Sequence, residues 1–311
     1  MKNIVNMVLY KSWPKAGVVA CFLFSNFFIA CNNGSAGEAE EDVAQDTVAL
    51  EVKDTENEGP QVYYQVPSPD EMISFIKDGG FDYNSTVLNP VDQLDSYVEQ
   101  RIQAVNLGIY TADLTYMAAY GQFQESMRYF NVVIKLAEKL GISSAFDEAL
   151  VARVKNNLNN ADSLELISRD SYYSIVDNLE ASQRGNALAA IAAGGWLETM
   201  YVVLNLMNEY KEGDAMLQRV ADQKLVFENL VMYLEKYEDD RLVGQTLADL
   251  APLKAIFASL EEEQTTTQIK KTKGQRLVLG GTGKVNITSE QFDQLKSAVD
   301  ALRNQWTAVN S

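Results

Sequence analysis

Two long stretches of the chain are almost free of charge, and they constrain the fold more than any other feature. Residues 102–124 carry a single charged side chain, Asp113, and residues 185–208 carry a single one, Glu198. A helix that is apolar on every side has no face to offer to water, so it belongs at the centre of a larger body or in a membrane. Residues 185–207 are long enough to span a bilayer. A carboxylate at mid-span would cost about 2.5–3.5 kcal/mol, however, and Asn186 and Asn205 add to that cost. The expected arrangement is a helical body built around two buried helices. Each pairs glycine with an aromatic ring near its middle, Gly108 with Tyr110 and Gly195 with Trp196.

The sequence on either side keeps the helical pattern. Ser68-Pro69-Asp70-Glu71 combines an N-cap, proline at the first helical position and acids in the first turn. Gly79-Gly80 ends that short helix, and Asn89-Pro90 opens the next. Phe123, Met127, Phe130, Ile134, Ala137 and Leu140 recur at steps of three and four, an apolar stripe stopped by Gly141. Asp162-Ser163-Leu164-Glu165 has capping-box spacing, with Asp162 as the cap. The helical period returns in Phe227, Leu230, Leu234 and Tyr237, and again in Leu250, Leu253, Phe257 and Leu260. About eight helices are expected between 69 and 263. After them, the β-prone runs Arg276-Leu277-Val278-Leu279 and Lys284-Val285-Asn286-Ile287 flank Gly280-Gly281-Thr282-Gly283, which reads as a small hairpin or an ordered loop. Thr288-Ser289-Glu290-Gln291 then caps a last helix with Phe292, Leu295, Val299, Leu302 and Trp306 at core spacing. The fold class is all-α: a multi-helix bundle or short helical solenoid over 67–311, with a small β-hairpin or ordered loop before the C-terminal helix.

The first 66 residues have a different character. Residues 1–15 hold Lys2, Lys11 and Lys15 and no acid, and residues 16–30 are almost wholly apolar. A basic segment followed by a short apolar one reads as a secretory signal over 1–30. Phe28-Ile29-Ala30-Cys31 resembles a bacterial lipobox, which implies lipid attachment at Cys31. Asn32 after the cysteine resembles the sorting signal of outer-membrane lipoproteins. Glu38, Glu40, Glu41 and Asp42 resemble the surface-export signals of Bacteroidetes lipoproteins. Residues 32–66 contain nine acids and one lysine, too little apolar surface to offset the entropy of ordering, so 31–66 is read as the lipidated cysteine and a disordered acidic tether. Within it, Asp46-Thr47-Val48 resembles a Bacteroidetes O-glycosylation acceptor, with Thr47 as the modified residue.

Charge and missing residue types narrow the chemistry. The net charge is −17, and the signal contributes only positive charge, so the body is more acidic still. Phosphate backbones would repel it, which argues against nucleic acid as a partner. Membrane association must come from the anchor. Histidine is absent and both cysteines, Cys21 and Cys31, lie near the N-terminus. Imidazole catalysis, Cys-His chemistry and His- or Cys-based metal sites are therefore excluded from the body. No catalytic, metal or cofactor site is expected.

The candidate polar residues are Asp113 and Glu198. A carboxylate on an apolar helix is rarely buried unless it is paired. They could be locked to an arginine in a closed core, with Arg101, Arg128, Arg153 or Arg184 as partner, and so fix helix register. They could instead line a ligand pocket with Trp196, Tyr110 and Arg184, or form an acid/base pair. The run Asn156-Asn157-Leu158-Asn159-Asn160-Ala161-Asp162 offers oxygen ligands but lacks the glycine and glutamate of a calcium loop, so it reads as a turn. Gly280 to Lys284 lacks the Walker spacing and reads as a hairpin turn.

Four stretches, Leu107-Gly108-Ile109-Tyr110-Thr111-Ala112-Asp113-Leu114, Leu140-Gly141-Ile142, Asn159-Asn160-Ala161-Asp162-Ser163 and Gly194-Gly195-Trp196-Leu197-Glu198, together with the signal and tether, resemble an uncharacterised helical lipoprotein family of Bacteroidetes. The resemblance covers about half the chain and implies a location and a fold rather than an activity. The expected function is a lipid-anchored outer-membrane lipoprotein, facing the periplasm or the cell surface, that serves as a non-enzymatic binding or accessory subunit of an envelope protein complex. The alternative is a glycan- or peptide-binding lipoprotein with its pocket around Asp113 and Glu198.

Overall fold

The computed structural model describes residues 72–73, 76–77, 79–146, 148–157, 160–207, 209–263 and 284–308. The chain divides into two units, 1–59 and 60–311, and all the described residues belong to the second. The expected signal peptide, Cys31, the tether and Thr47 lie outside the described residues.

The two uncharged stretches form helices α1 (Gln100–Ala119) and α5 (Gly185–Leu206), and they pack on each other more extensively than any other pair. Glycine makes that contact possible. A Cβ on Gly108 would lie 1.9 Å from the Ile191 carbonyl oxygen, and one on Gly194 would lie 1.9 Å from the Val105 carbonyl oxygen. The two backbones therefore touch directly at the crossing, and the buried small residues Ala104 and Ala190 lie one turn before Gly108 and Gly194. The most apolar window of α5 is 89% buried by the rest of the protein, as a central helix of a bundle should be.

The other elements wrap this pair. Helix α1 stops at Ala119, before the expected 124, because Gly121 takes a left-handed conformation (φ +68°). This turn folds α2 (Phe123–Lys139) back onto α1. Gly141, also left-handed at φ +68°, ends α2 as expected. Phe130, Ala137 and Leu140 of the expected stripe are buried, and the buried face of α2 widens to one side of it through Ser126, Tyr129, Val133 and Leu136. Phe123, Met127 and Ile134 fall on its half-buried edge.

Helices α3 (Glu148–Asn156) and α4 (Ala161–Ala181) follow. The cap of α4 is Asn160, whose side chain accepts from the Ser163 N–H, rather than Asp162. Asn160 enters with extended backbone, and that geometry puts the cap oxygen within reach of the first free amides. Helices α6 (Ala215–Glu235), α7 (Arg241–Asp249) and α8 (Ala251–Ala258) cover α5. Leu250, Leu253, Phe257 and Leu260 are all buried there. The last helix, α9 (Ser289–Thr307), packs against α1, α5 and α8. It begins with the expected capping box between Thr288 and Gln291 and buries Phe292, Leu295, Val299, Leu302 and Trp306.

The small hairpin expected before the C-terminal helix is present. Strand β2 (Lys284–Asn286) lies in the expected run, but its antiparallel partner is β1 (Glu261–Glu263), with Glu262 opposite Val285. Arg276-Leu277-Val278-Leu279 and the glycine run lie outside the described residues. Three successive glutamates have little strand propensity, so the pairing follows from where the chain leaves α8 and enters α9. The Lys224 ammonium, buried under the hairpin, donates to the Leu260 carbonyl at 3.1 Å and pairs with Glu262 at 2.7 Å. The architecture is an all-α bundle with one small antiparallel hairpin before the C-terminal helix.

Residues 81–97 form neither an α-helix nor a strand. Asn89-Pro90 opens only a 3-10 turn, Val91–Ser96, after a shorter one at Ser85–Val87. The α-helix waits until Gln100. This stretch lies as a strap over the central helices and buries Val87, Leu88, Leu94 and Tyr97.

Candidate functional site

Asp113 and Glu198 belong to helices separated by 65 residues of chain, yet the α1–α5 crossing brings them together. Both side chains have no exposed surface, and the proton affinity of each carboxyl depends on the other. The cation that meets them is Arg303 on α9. Its Nε donates to Glu198 Oε2 at 3.1 Å and its Nη2 to Glu198 Oε1 at 3.0 Å, a two-pronged fork. The guanidinium lies 4.4 Å over the Tyr201 ring, and Nη2 also donates to the Val87 carbonyl of the strap at 3.4 Å.

Asp113 makes its second link to the strap itself: its Oδ2 accepts the Asn89 N–H at 3.0 Å. The Asn89 side-chain amide donates onward to the Tyr97 hydroxyl at 3.1 Å and to Asn106 Oδ1 at 3.3 Å. Asn106 in turn donates to the Trp306 carbonyl at 2.8 Å. One connected polar cluster thus ties the strap, α1, α5 and α9 together in the interior.

The electrostatics of this cluster are lopsided. Two carboxyls face one guanidinium. Burial pushes the proton affinity of Asp113 well above the usual carboxylate range, and the Glu198 charge raises it further, while the Asn89 N–H and Arg303 oppose. Burial raises Glu198 as well, and the charge and hydrogen bonds of Arg303 offset only part of that rise. Asp113 Oδ1 and Asn89 Oδ1 accept no hydrogen bond from any donor, although both are buried. Unpaired acceptors are costly in a dry core, and a proton on Asp113 Oδ1 would turn one of them into a donor towards Glu198.

The remaining sequence candidates fall in different places. Tyr110 flanks the pair, with its hydroxyl donating to the Pro90 carbonyl at 2.7 Å and its ring against Tyr97 and Tyr129. Trp196 does not join it. Two residues along a helix turn a side chain by roughly 200°, so Trp196 faces away from Glu198 and packs on Phe227 at 4.7 Å and on Phe257. Its indole N–H donates to Gln223. Arg184 is also elsewhere. It precedes α5 and donates to the Leu140 and Gly141 carbonyls, closing the end of α2. Arg101 pairs with Asp249 and Arg128 with Glu125, while Arg153 lies on α3. Asn157 and Asn160 of the asparagine run serve a helix end and a helix start.

Arg303 was not legible in the sequence, nor was a second polar junction at Asp249. That carboxylate accepts from Arg101, from the Trp306 indole at 2.8 Å and from Gln305 at 3.1 Å, joining α1, α7 and α9. No local signal marks either partner, because both contacts span more than fifty residues.

Chemically, the pair is sealed. A general acid or base must reach a substrate proton, and neither carboxyl has any exposed surface. Among the described residues, no group of three or more acidic or cysteine side chains converges to hold a metal ion. A shallow depression on α9, lined by Glu290, Asp293 and Ser297 among others, is solvent-open and made by that one helix. No family model, curated protein or solved structure matches the chain.

Proposed function

We propose that the chain is a lipid-anchored outer-membrane lipoprotein whose helical body is a non-enzymatic binding or accessory subunit of an envelope protein complex. The observation that carries this reading over the alternative is the closure of the Asp113–Glu198 pair. A glycan or peptide pocket built around these residues needs carboxyls that a ligand can reach, whereas both are buried and Glu198 is bound on both oxygens by Arg303. The cluster acts as an internal brace joining elements far apart in sequence, as expected of a body that presents surfaces. Large apolar side chains are exposed on two helices, Leu166 and Tyr173 on α4 and Leu225 and Met232 on α6, and such residues suit protein contacts when they cluster. The location rests on the signal-like segment, the lipobox-like Cys31 and the acidic tether.

The test is affinity purification of the tagged protein from gently solubilised native membranes, with mass spectrometry of what accompanies it. The proposal expects a stoichiometric envelope protein. A clean monomer that is stabilised against heat by glycans or peptides would overturn it in favour of the pocket reading. The anchor has its own check: Cys31→Ala should abolish lipid labelling and release the protein from the membrane fraction, and unchanged anchoring would refute the assignment.

A further inference from the structure

The strap, residues 81–97, is attached differently from the two central helices that it covers. Helices α1 and α5 meet backbone to backbone at Gly108 and Gly194. The strap instead reaches the body through buried apolar side chains and single side-chain bonds, such as the Tyr120 hydroxyl to the Phe81 carbonyl at 2.6 Å. At its middle, Asn89 is fully buried and sits directly on the carboxyl pair, with its N–H on Asp113. Two residues away, the Val87 carbonyl takes the same Arg303 that holds Glu198. The strap is thus fastened to both halves of the pair.

We propose that one proton shared by Asp113 and Glu198 latches this strap to the helical body, and that loss of the proton as pH rises releases the strap while the central helices stay packed. The geometry places that proton. Glu198 takes two donors from Arg303 and holds the negative charge. Asp113 has a buried Oδ1 that accepts nothing, and a hydrogen there gives the neighbouring Glu198 a neutral partner while Oδ2 keeps the Asn89 N–H. Without the proton, two negative carboxylates face each other beside a single guanidinium, away from water, and the second charge has no counter-ion. Relief comes from hydrating Asp113. The strap covers it through Asn89 and can leave without parting the α1 and α5 backbones or breaking the Arg303–Glu198 fork.

The other ionisable groups facing the pair do not compete. They are Tyr83 and Tyr97 from the strap, Tyr110 and Tyr116 from α1, Tyr129 from α2, Tyr201 from α5 and Arg303 from α9. Burial raises each of these tyrosines above its ordinary value, Tyr83 to about 12, and Glu198 raises Arg303. All stay in one charge state from acid to mildly alkaline pH. The sign follows from linkage. Docking raises the proton affinity of Asp113, so the docked form binds the extra proton. Docking is then strongest below the ordinary carboxylate range. It weakens about tenfold per pH unit as pH rises towards the docked-state value, and levels off above it.

Hydrogen–deuterium exchange on the full chain between about pH 5 and pH 9 tests this, with each rate divided by its intrinsic value. The expected result is that amides of the strap, Asn89 among them, are less protected than the core of α5. Their protection should fall about tenfold per pH unit over part of the range and then plateau. Asp113→Asn keeps a donor for Glu198 and an acceptor for the Asn89 N–H, so it should hold the strap docked with a flat pH profile. A flat profile in the unmodified protein would overturn the proposal, as would strap and α5 amides opening together, or a pH slope that survives D113N. Should D113N fail to fold, infrared spectra of the unmodified protein with isotope-labelled aspartate decide the matter. A protonated aspartic carboxyl band near neutral pH that disappears on raising the pH supports the latch, and its absence throughout overturns it.

Discussion

Replacing Gly194 by alanine sets two effects of opposite sign against each other, and the structure says which wins. In an ordinary helix interior the change is favourable by about 1 kcal/mol, because alanine loses less backbone entropy on folding. Here the new Cβ would sit 1.9 Å from the Val105 carbonyl oxygen and 2.7 Å from its carbon. Ordinary contact begins near 3.4 Å, so α1 and α5 must separate by roughly 1.5 Å at the crossing. Both obstacles are backbone, and no side chain can swing aside. Overpacking of this kind costs about 1–3 kcal/mol and more where nothing yields. Parting the helices also loosens the packing of Ala104 and Ala190 beside the crossing. Gly194→Ala should therefore destabilise the body by about 2 kcal/mol net, a fall in Tm of roughly 4–8 °C. Urea and thermal unfolding followed by circular dichroism measure it. An unchanged or higher Tm would refute the reasoning, since it would mean that the backbones do not touch and that intrinsic propensity alone governs the site.

Further substitutions address the polar cluster and the last helix. Arg303→Met should cost about 3–5 kcal/mol in urea unfolding, because it strands Glu198 without a counter-ion. Combining it with Glu198→Gln should recover much of that loss, and a strictly additive pair would contradict the ion-pair assignment. Thr288→Ala removes the capping oxygen that accepts the Gln291 N–H, and should lower stability by about 1 kcal/mol. Asp249→Ala leaves the Trp306 indole and Arg101 without their acceptor. It should shift the tryptophan fluorescence and destabilise by about 2 kcal/mol, more than a surface acid-to-alanine change does.

Particular residues show how much could be read in advance. Asp113 and Glu198 stood out because a lone carboxylate on an uncharged helix has to find a partner, a rule that holds whatever the fold. The helix ends at Gly79-Gly80 and Gly141 and the cap at Thr288 were equally legible, because each is a local backbone requirement met within a few residues. Asn89-Pro90 misled for the complementary reason. Its local signal suits a helix start, yet burial of Asn89 on Asp113 holds the chain in a strap. Phe130, Ala137 and Leu140 of the expected α2 stripe are buried, but Tyr129 and Ser126 also turn inward, which the apolar spacing did not mark.

Sequence alone therefore determined that this is a helical body around two apolar helices, each carrying one carboxylate that must be compensated. Periodicity, caps and the cost of burying charge act within a turn or two of chain, or on a residue by itself. The tertiary structure decided that Arg303 supplies the compensation, that Trp196 and Arg184 stand apart from it, and that Glu261–Glu263 pairs with Lys284–Asn286. Those outcomes depend on the distance at which α1 and α5 cross and on where α9 comes to rest. Both are set by glycine contacts and packing between segments remote in the chain, which no local pattern encodes.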